Sequence, residues 1–375
     1  MEKIFFVGNN LINELLESSS SSSDDEEIGI LLHPKVKCLR VKDFVDEVLN
    51  LYTDREFKRN FRVERESAQY LIAKYESSSS YVRRNYRGGR PQATPSTHVL
   101  LFLWFCSNKT TIREVSNLFN MSYSSVHNVL NNVMSFLLEI SPDIIKLPES
   151  DTEKEIIAHD FAAICGFPNV LGCIAETYIS TRAPKKTVRS TYINRHDTIS
   201  VPMQGICDAN LKFIDVFIGA PSKVHESRLL KLSFISKKLP KLCLPKYHLL
   251  GDSDYPIRNF LLIPYMDYGN LTEQEKMYNY KLSQTRMRIE NAFGLLKCRF
   301  RQLMRLDFLE VETTTKFIMA CCVLHNICID KQDVIEGEEY CAEPASVREH
   351  FHSEVSDSVL TELGEMKRSQ IKSLF

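Results

Sequence analysis

The sequence predicts an α/β protein in which a mixed β-sheet, flanked by helices, is preceded by a helical domain. Two observations support this prediction. From Ile156 onward, short apolar runs rich in β-branched residues are bounded by turn residues, which is typical of strands. Upstream, apolar residues such as Phe44, Val48 and Tyr52 recur at helical spacing. Strands mixed with helices in one segment indicate a sheet covered by helices.

Composition limits the class of protein further. A chain of 375 residues with 43% hydrophobic and 25% charged residues is long enough for two domains and can bury a core. Lys and Arg number 47 against 48 Asp and Glu, so any surface that binds nucleic acid must be local. The 11 cysteines form no C-x-x-C pair, which argues against a zinc ribbon and indicates buried thiols in a reducing compartment.

No membrane segment is expected. The longest apolar runs, such as Val99–Cys106, are too short to span a bilayer. The apolar stretch Ile4–Val7 is followed by polar residues without a small-residue cleavage site, so we expect no signal peptide. These features predict a protein of the nucleus or the cytoplasm.

The chain divides into four predicted parts. The first is disordered, because the unbroken serine run Ser18–Ser23 leads into four acidic residues. The last is an acidic tail, with ten acidic and five basic residues from Lys331 onward, and we expect it to be mobile apart from a helix at Val355–Lys367. The boundaries are 1–35 for the disordered segment, 36–148 for the helical domain, 149–330 for the sheet domain and 331–375 for the acidic tail.

A helix-turn-helix pattern lies in the helical domain. The segment Thr111–Phe119 is followed by a short turn and by a second helix that starts at the capping residue Ser122. Exposed polar groups on this second helix, Ser124 and Ser125 among them, could reach base edges. The helix contains no Lys or Arg, so use in partner contact or packing remains the alternative.

A basic loop precedes this pattern. The segment Tyr81–Arg90 carries four arginines, including Arg83 and Arg84, beside two glycines. Such a loop suits contacts with phosphates, and a solvated linker would have the same composition. Arg83 and Arg84 are therefore candidate DNA-binding residues.

In the sheet domain, acidic residues lie near the ends of two predicted strands and on a predicted helix. One strand ends in Leu171–Ile179, another runs into Gly251–Pro256, and a later helix carries Glu290 between basic residues. Carboxylates at strand ends, joined by one from a helix, suit two Mg²⁺ or Mn²⁺ ions in phosphodiester cleavage. The predicted strands are Val170–Ile174, Ile199–Cys207, Phe213–Ile218 and His248–Leu250, and the predicted helices are Arg228–Lys238, Leu282–Leu303 and Thr313–Ile329.

A series of longer motifs between Phe167 and Asp330 is more specific. In order, they are Gly166–Ile174, Asn194-Arg195, Val201–Asn210, Ser222–Ser227, Gly251–Pro256, Ile289–Lys297 and Ala320–Cys328. This segment resembles the nuclease domain of PIF/Harbinger-type DDE transposases and of the nucleases derived from them. The resemblance implies an RNase H-like fold, a nuclear protein, and DNA cleavage with Mg²⁺ or Mn²⁺ in active members. It also implies a Myb/SANT-like partner that carries DNA contact or nuclear import.

The resemblance assigns the site residues and shows where this chain departs from the family. It implies that Asp252 and Glu290 are two of the catalytic, metal-binding carboxylates. At the position of the first catalytic Asp this chain has Ala175, followed by Glu176 instead of Gly. A neighbouring acid could replace the missing carboxylate, although side chains alternate faces along a strand and Glu176 should point away from Asp252 unless a bulge turns it. Asp254 is a further candidate.

Basic residues surround Glu290 in its helix. Arg286 and Arg288 precede it, and their density would let the helix follow a phosphate backbone; a solvated helix face is the alternative. We count Arg286 and Arg288 among the candidate DNA-binding residues.

Three functions remain open. The first is a domesticated Harbinger-type protein with lost or impaired cleavage that still binds DNA or a partner. The second is an active metal-dependent nuclease that uses Asp252, Glu290 and a substitute such as Glu176. The third is a protein-interaction scaffold without DNA affinity.

Overall fold

The computed structural model describes residues 40–41, 44–82, 92–182, 189–194, 197–224, 226–335 and 358–375. The predicted disordered segment 1–35 and the candidate DNA-binding residues Arg83 and Arg84 lie outside the described residues. Among the described helices, none is long and apolar enough to cross a membrane.

The first part of the chain is helical, as predicted. Capping boxes at Thr53/Glu56 and Thr111/Glu114 fix the starts of two of its helices, because each threonine hydroxyl and glutamate carboxylate satisfy otherwise unpaired backbone N–H groups. The helices are α1 (Asp54–Phe61), α2 (Arg65–Glu76), α3 (Pro95–Ser107), α4 (Ile112–Leu118) and α5 (Tyr123–Ile144).

The predicted helix-turn-helix consists of α4 and α5. The Ser122 side chain caps α5 by accepting a hydrogen bond from the Ser125 backbone N–H at 3.1 Å. One face of α5 is buried through Val126, Val129 and Val133, and its polar residues lie on the outside.

A five-stranded mixed sheet follows and confirms the predicted fold class. The strand order is β3-β2-β1-β4-β5; β1 pairs antiparallel with β2 and parallel with β4, β2 pairs antiparallel with β3, and β4 pairs parallel with β5. This arrangement with flanking helices is RNase H-like. The strands are β1 (Val170–Ser180), β2 (Ser200–Cys207), β3 (Phe213–Ile218), β4 (His248–Leu250) and β5 (Leu261–Leu262).

Helices cover both faces of the sheet. On one face, Ala175 of β1 belongs to the same buried cluster as Ile289 and Phe293 of α9. On the other face, Ile174 of β1 is in a second cluster with Leu239 of α8. The remaining helices are α6 (Asp151–Cys165), α7 (Glu226–Leu232), α8 (Ile235–Cys243), α9 (Glu273–Arg299), α10 (Val311–Asp330) and α11 (Ser358–Lys372).

The helical part and the sheet part share one hydrophobic core. Phe102 and Phe105 of α3 lie 6.0 and 5.7 Å, between ring centroids, from Phe317 of α10. These aromatic contacts bury large apolar surfaces from both parts of the chain in one cluster, so the two parts fold against each other.

The last helix begins and ends later than predicted, at Ser358 and Lys372. Lys367 donates hydrogen bonds to the carbonyl oxygens of Pro245 (3.2 Å) and Tyr247 (2.7 Å). A basic side chain therefore helps to hold α11 against the sheet domain. Most acidic residues of the predicted tail precede this helix, in the segment 336–357.

Candidate nuclease site

Ala175 lies in the middle of the sheet and faces α9. It is fully buried and pairs with Gly205 of β2. A Cβ atom on Gly205 would lie 3.0 Å from the Phe293 ring, so the absence of a side chain there lets α9 approach the sheet closely. The position that the resemblance assigns to the first carboxylate is therefore filled by a methyl group under α9.

The sheet register brings this position beside Asp252. In the parallel pair of β1 and β4, Cys173 is opposite Leu250. Ala175 and Asp252 each lie two residues beyond that pair; β1 continues to Ser180, whereas β4 has ended at Leu250 and Asp252 is in the turn that follows. The register therefore brings the two positions that the resemblance assigns to the first and second acids to the same region of neighbouring strands.

A turn after β4 fixes Asp252. The Asp254 backbone N–H donates to Asp252 Oδ1 at 3.1 Å, which places Asp254 in the turn and not in a continued strand. Asp252 is only 7% exposed. The turn holds the Asp252 carboxylate against the sheet, facing α9.

Arg286 lies between the two acids that the sequence assigned to the site. Its Nη1 atom is 3.0 Å from Glu290 Oε1 and 3.7 Å from Asp252 Oδ2. Arg286 and Glu290 are one helical turn apart on α9, at the i and i+4 spacing that brings side chains together. The sequence placed Arg286 among DNA-binding candidates, whereas the structure places its guanidinium in contact with both carboxylates.

Glu176 lies on the opposite face of the sheet. It pairs with Gln204 of β2, whose side chain donates to Ser233 Oγ at 3.4 Å on the side of α7 and α8. Side chains directly opposite in an antiparallel pair share a face. The flanking Thr177 faces α9, because its hydroxyl accepts a hydrogen bond from Lys297 at 2.9 Å. For Glu176 to reach Asp252, β1 would need a one-residue change of register that turns this side chain to the α9 face.

Lys297 adds a second cation on the α9 face. Its ammonium group donates to Thr177 Oγ1 at 2.9 Å and to the Tyr178 carbonyl oxygen at 3.2 Å, directly after the Ala175 position. Lys297 follows Glu290 by seven residues and Arg286 by eleven. These spacings in the sequence indicate that the three side chains share one face of α9.

The other candidate DNA-binding residues are separate from this cluster. Arg288 is two residues from Arg286 on α9, and residues at that spacing do not share a helix face. Ser124 and Ser125 are exposed at the start of α5, with Ser125 Oγ 2.8 Å from Ser122 Oγ. The arrangement leaves Ser124 and its neighbours open to solvent.

The side chains present do not suit a pair of divalent ions. Within the described ranges, no group of three or more His, Cys, Asp or Glu side chains is arranged to hold a metal ion. Hard divalent ions need several anionic oxygens, and here two carboxylates are already in contact with a guanidinium, which is always protonated in proteins. The residues of this site therefore do not fit the pair of metal ions that the resemblance implies.

The five-stranded mixed sheet with its flanking helices is consistent with the RNase H-like fold of DDE nucleases. Residues 175–326 match the family of DDE superfamily endonucleases. This match agrees with the resemblance to Harbinger-type DDE transposases and the nucleases derived from them that the motifs indicated.

Two relatives illustrate the degree of similarity. The chain is 27% identical over 241 residues to the human protein HARBI1, named as a candidate nuclease, covering 63% of this chain and 68% of the relative. It is 23% identical over 296 residues to an ALP1-like protein of Arabidopsis thaliana, covering 74% and 72%. No solved structure matches the chain.

Proposed function

We propose that this protein is a domesticated Harbinger-type protein that binds DNA or a nuclear partner and has lost or impaired DNA cleavage. The observation that carries the proposal is the buried methyl group of Ala175, on the strand next to β4 and at the position where the resemblance places the first carboxylate. A methyl group cannot bind a cation. The loss of one transition-state-stabilising group commonly lowers kcat about 10²- to 10³-fold, and the loss of a metal ion lowers it further.

DNA binding through α5 is the second part of the proposal. Ser124 and its exposed neighbours on this helix can donate to or accept from base edges in a major groove. The near-zero net charge of the chain and the lack of Lys and Arg on the first turns of α5 favour a partner that supplies phosphate contacts. A Myb/SANT-like protein fits this role, and we expect the complex in the nucleus.

The active-nuclease alternative requires a carboxylate from elsewhere. The shared contact of Asp252 and Glu290 with Arg286 brings these two acids close together, which supports this alternative. Glu176, the acid nearest in sequence, faces the other side of the sheet. This alternative predicts that Glu176→Ala abolishes cleavage.

A cleavage assay tests the proposal. The purified full chain is incubated with supercoiled plasmid and Mg²⁺ or Mn²⁺, beside the Asp252→Ala and Ala175→Asp variants. We expect no nicking above the Asp252→Ala background for the wild-type chain. Nicking by the wild type that Asp252→Ala removes would show an active nuclease and refute the loss of cleavage.

A DNA-binding assay separates the proposal from the scaffold alternative. Fluorescence anisotropy with a labelled duplex is measured at increasing KCl, with Ser124→Ala as the variant and the exposed Ser135→Ala, further along α5, as the matched control. We expect salt-dependent binding that Ser124→Ala weakens about three- to tenfold and Ser135→Ala does not change. Absence of any salt-dependent binding, with or without a Myb/SANT-type partner, would support a scaffold without DNA affinity.

A further inference from the structure

We infer that Arg286 is the built-in cation of this site and that its guanidinium occupies the electrostatic role that divalent ions have in a working DDE site. The inference rests on the proposed function and extends it, because it states what neutralises the remaining acids. The contacts that carry it are those of Arg286 Nη1 with Glu290 at 3.0 Å and with Asp252 at 3.7 Å.

The electrostatic argument begins with burial. The Asp252 side chain is 10% exposed and the Arg286 side chain 19% exposed, so water screens this pair incompletely. Two carboxylates held near each other repel unless a cation lies between them. The positive charge of the guanidinium meets this need without a bound ion, because it belongs to the chain. Nη1 is buried and makes no hydrogen bond, so its contacts with the two acids are ion pairs.

The same contacts exclude a divalent ion by competition. An ion that approached Asp252 and Glu290 would have to displace the guanidinium and leave it partly buried beside a second positive charge. At Ala175 no third carboxylate is available to offset that repulsion. With Ala175 at the first position, the two remaining carboxylates are paired with the Arg286 cation of α9 itself.

Arg288 provides a matched control. It lies on the same helix, has the same side chain and is two residues away, a spacing at which side chains do not face each other. A change of Arg288 alters the charge of the chain as much as a change of Arg286 does, without touching the two carboxylates. Any difference between Arg286→Met and Arg288→Met therefore reports the position of the charge and not its amount.

The test is Mn²⁺ binding by the full chain without DNA, measured by calorimetry and by electron paramagnetic resonance of free Mn²⁺. The variants are Asp252→Asn, Ala175→Asp and the double variant Ala175→Asp/Arg286→Met. We expect wild-type binding to be unchanged by Asp252→Asn, and the double variant to bind Mn²⁺ at least tenfold more tightly than Ala175→Asp alone. Mn²⁺ binding by the wild type that Asp252→Asn removes, or equal affinity of the single and double variants, would overturn the inference.

A second measurement decides the matter if the buried carboxylate introduced by Ala175→Asp prevents folding. Thermal unfolding of Arg286→Met and Arg288→Met is compared with and without Mn²⁺. We expect Arg286→Met to lower Tm and Mn²⁺ to recover part of the loss, with neither effect for Arg288→Met. Equal behaviour of the two variants would contradict the inference.

The outcomes separate this inference from the proposed function. Wild-type protein that binds Mn²⁺ through Asp252 but cuts no DNA would refute the role of Arg286 and leave the proposed function standing. Protein that binds neither Mn²⁺ nor DNA would support Arg286 as the cation and refute DNA binding.

Discussion

Arg299 and Asp333 form a salt bridge that is buried on both sides, with 3.2 Å between Nη1 and Oδ1 and side-chain exposures of 1% and 0%. The Arg299 guanidinium also donates to the Arg62 carbonyl oxygen at 2.7 Å, and Asp333 Oδ2 accepts from the Glu64 backbone N–H at 2.7 Å. Arg62 and Glu64 connect α1 to α2, whereas Arg299 ends α9. The pair therefore joins the helical part of the chain to the helix that carries Glu290.

Replacement of Asp333 by Ala should destabilise the protein strongly. It leaves the Arg299 charge buried without its carboxylate, and breaking a buried pair in this way costs about 3–5 kcal/mol. Urea unfolding measures the free energy. The control is Asp330→Ala, which removes a surface salt bridge with Lys212 (2.6 Å) and should cost less than about 1 kcal/mol. Similar losses of unfolding free energy for both variants would show that the buried Arg299 pair stabilises the protein no more than the surface pair does.

Stability should also fall in acid because of His325. Its Nε2 atom lies 2.8 Å from the Leu211 carbonyl oxygen, and burial lowers its pKa to about 4. In the unfolded chain the pKa is about 6.5, so between these values the unfolded state binds more protons than the folded state. The stabilisation is complete above pH 6.5 and is lost as pH falls toward 4, by an amount on the order of 3 kcal/mol.

The His325→Gln variant checks this pH dependence. Glutamine does not titrate, so the free energy of unfolding of the variant should fall less between about pH 7 and about pH 4.5 than that of the wild type. Urea unfolding at several pH values gives both curves. Parallel curves for the two proteins would contradict the assignment of the acid sensitivity to His325.

Local patterns in the sequence predicted most of the sheet, and the differences have physical causes. The strand β5, Leu261–Leu262, is too short to show any periodicity. The start of α9 was expected at Leu282, but the capping box of Thr272 and Glu275 begins it at Glu273. One helix was predicted at Arg228–Lys238, where the chain forms α7 and α8 with a break between them.

At the site, too, local patterns in the sequence predicted some contacts, whereas others depend on tertiary packing. Strand alternation placed Glu176 on the face away from Asp252, which is where the structure has it, and the i,i+4 spacing brings Arg286 to Glu290. The contact of Arg286 with Asp252 could not be read from the sequence, because it depends on how α9 packs over the end of β4. Long-range pairs such as this one have no local pattern.

Attachment of α11 should depend on Gly364. A Cβ atom at this position would lie 2.9 Å from the backbone of Arg258, so a side chain must push the helix away from the segment before β5. Gly364→Val should therefore lower Tm and expose the last helix to limited proteolysis, although valine has the higher helix propensity. The exposed Ser369→Val on the same helix is the control and should change neither measurement. Unchanged protease resistance in Gly364→Val would show that α11 tolerates displacement and that its docking through Lys367 and its neighbours suffices.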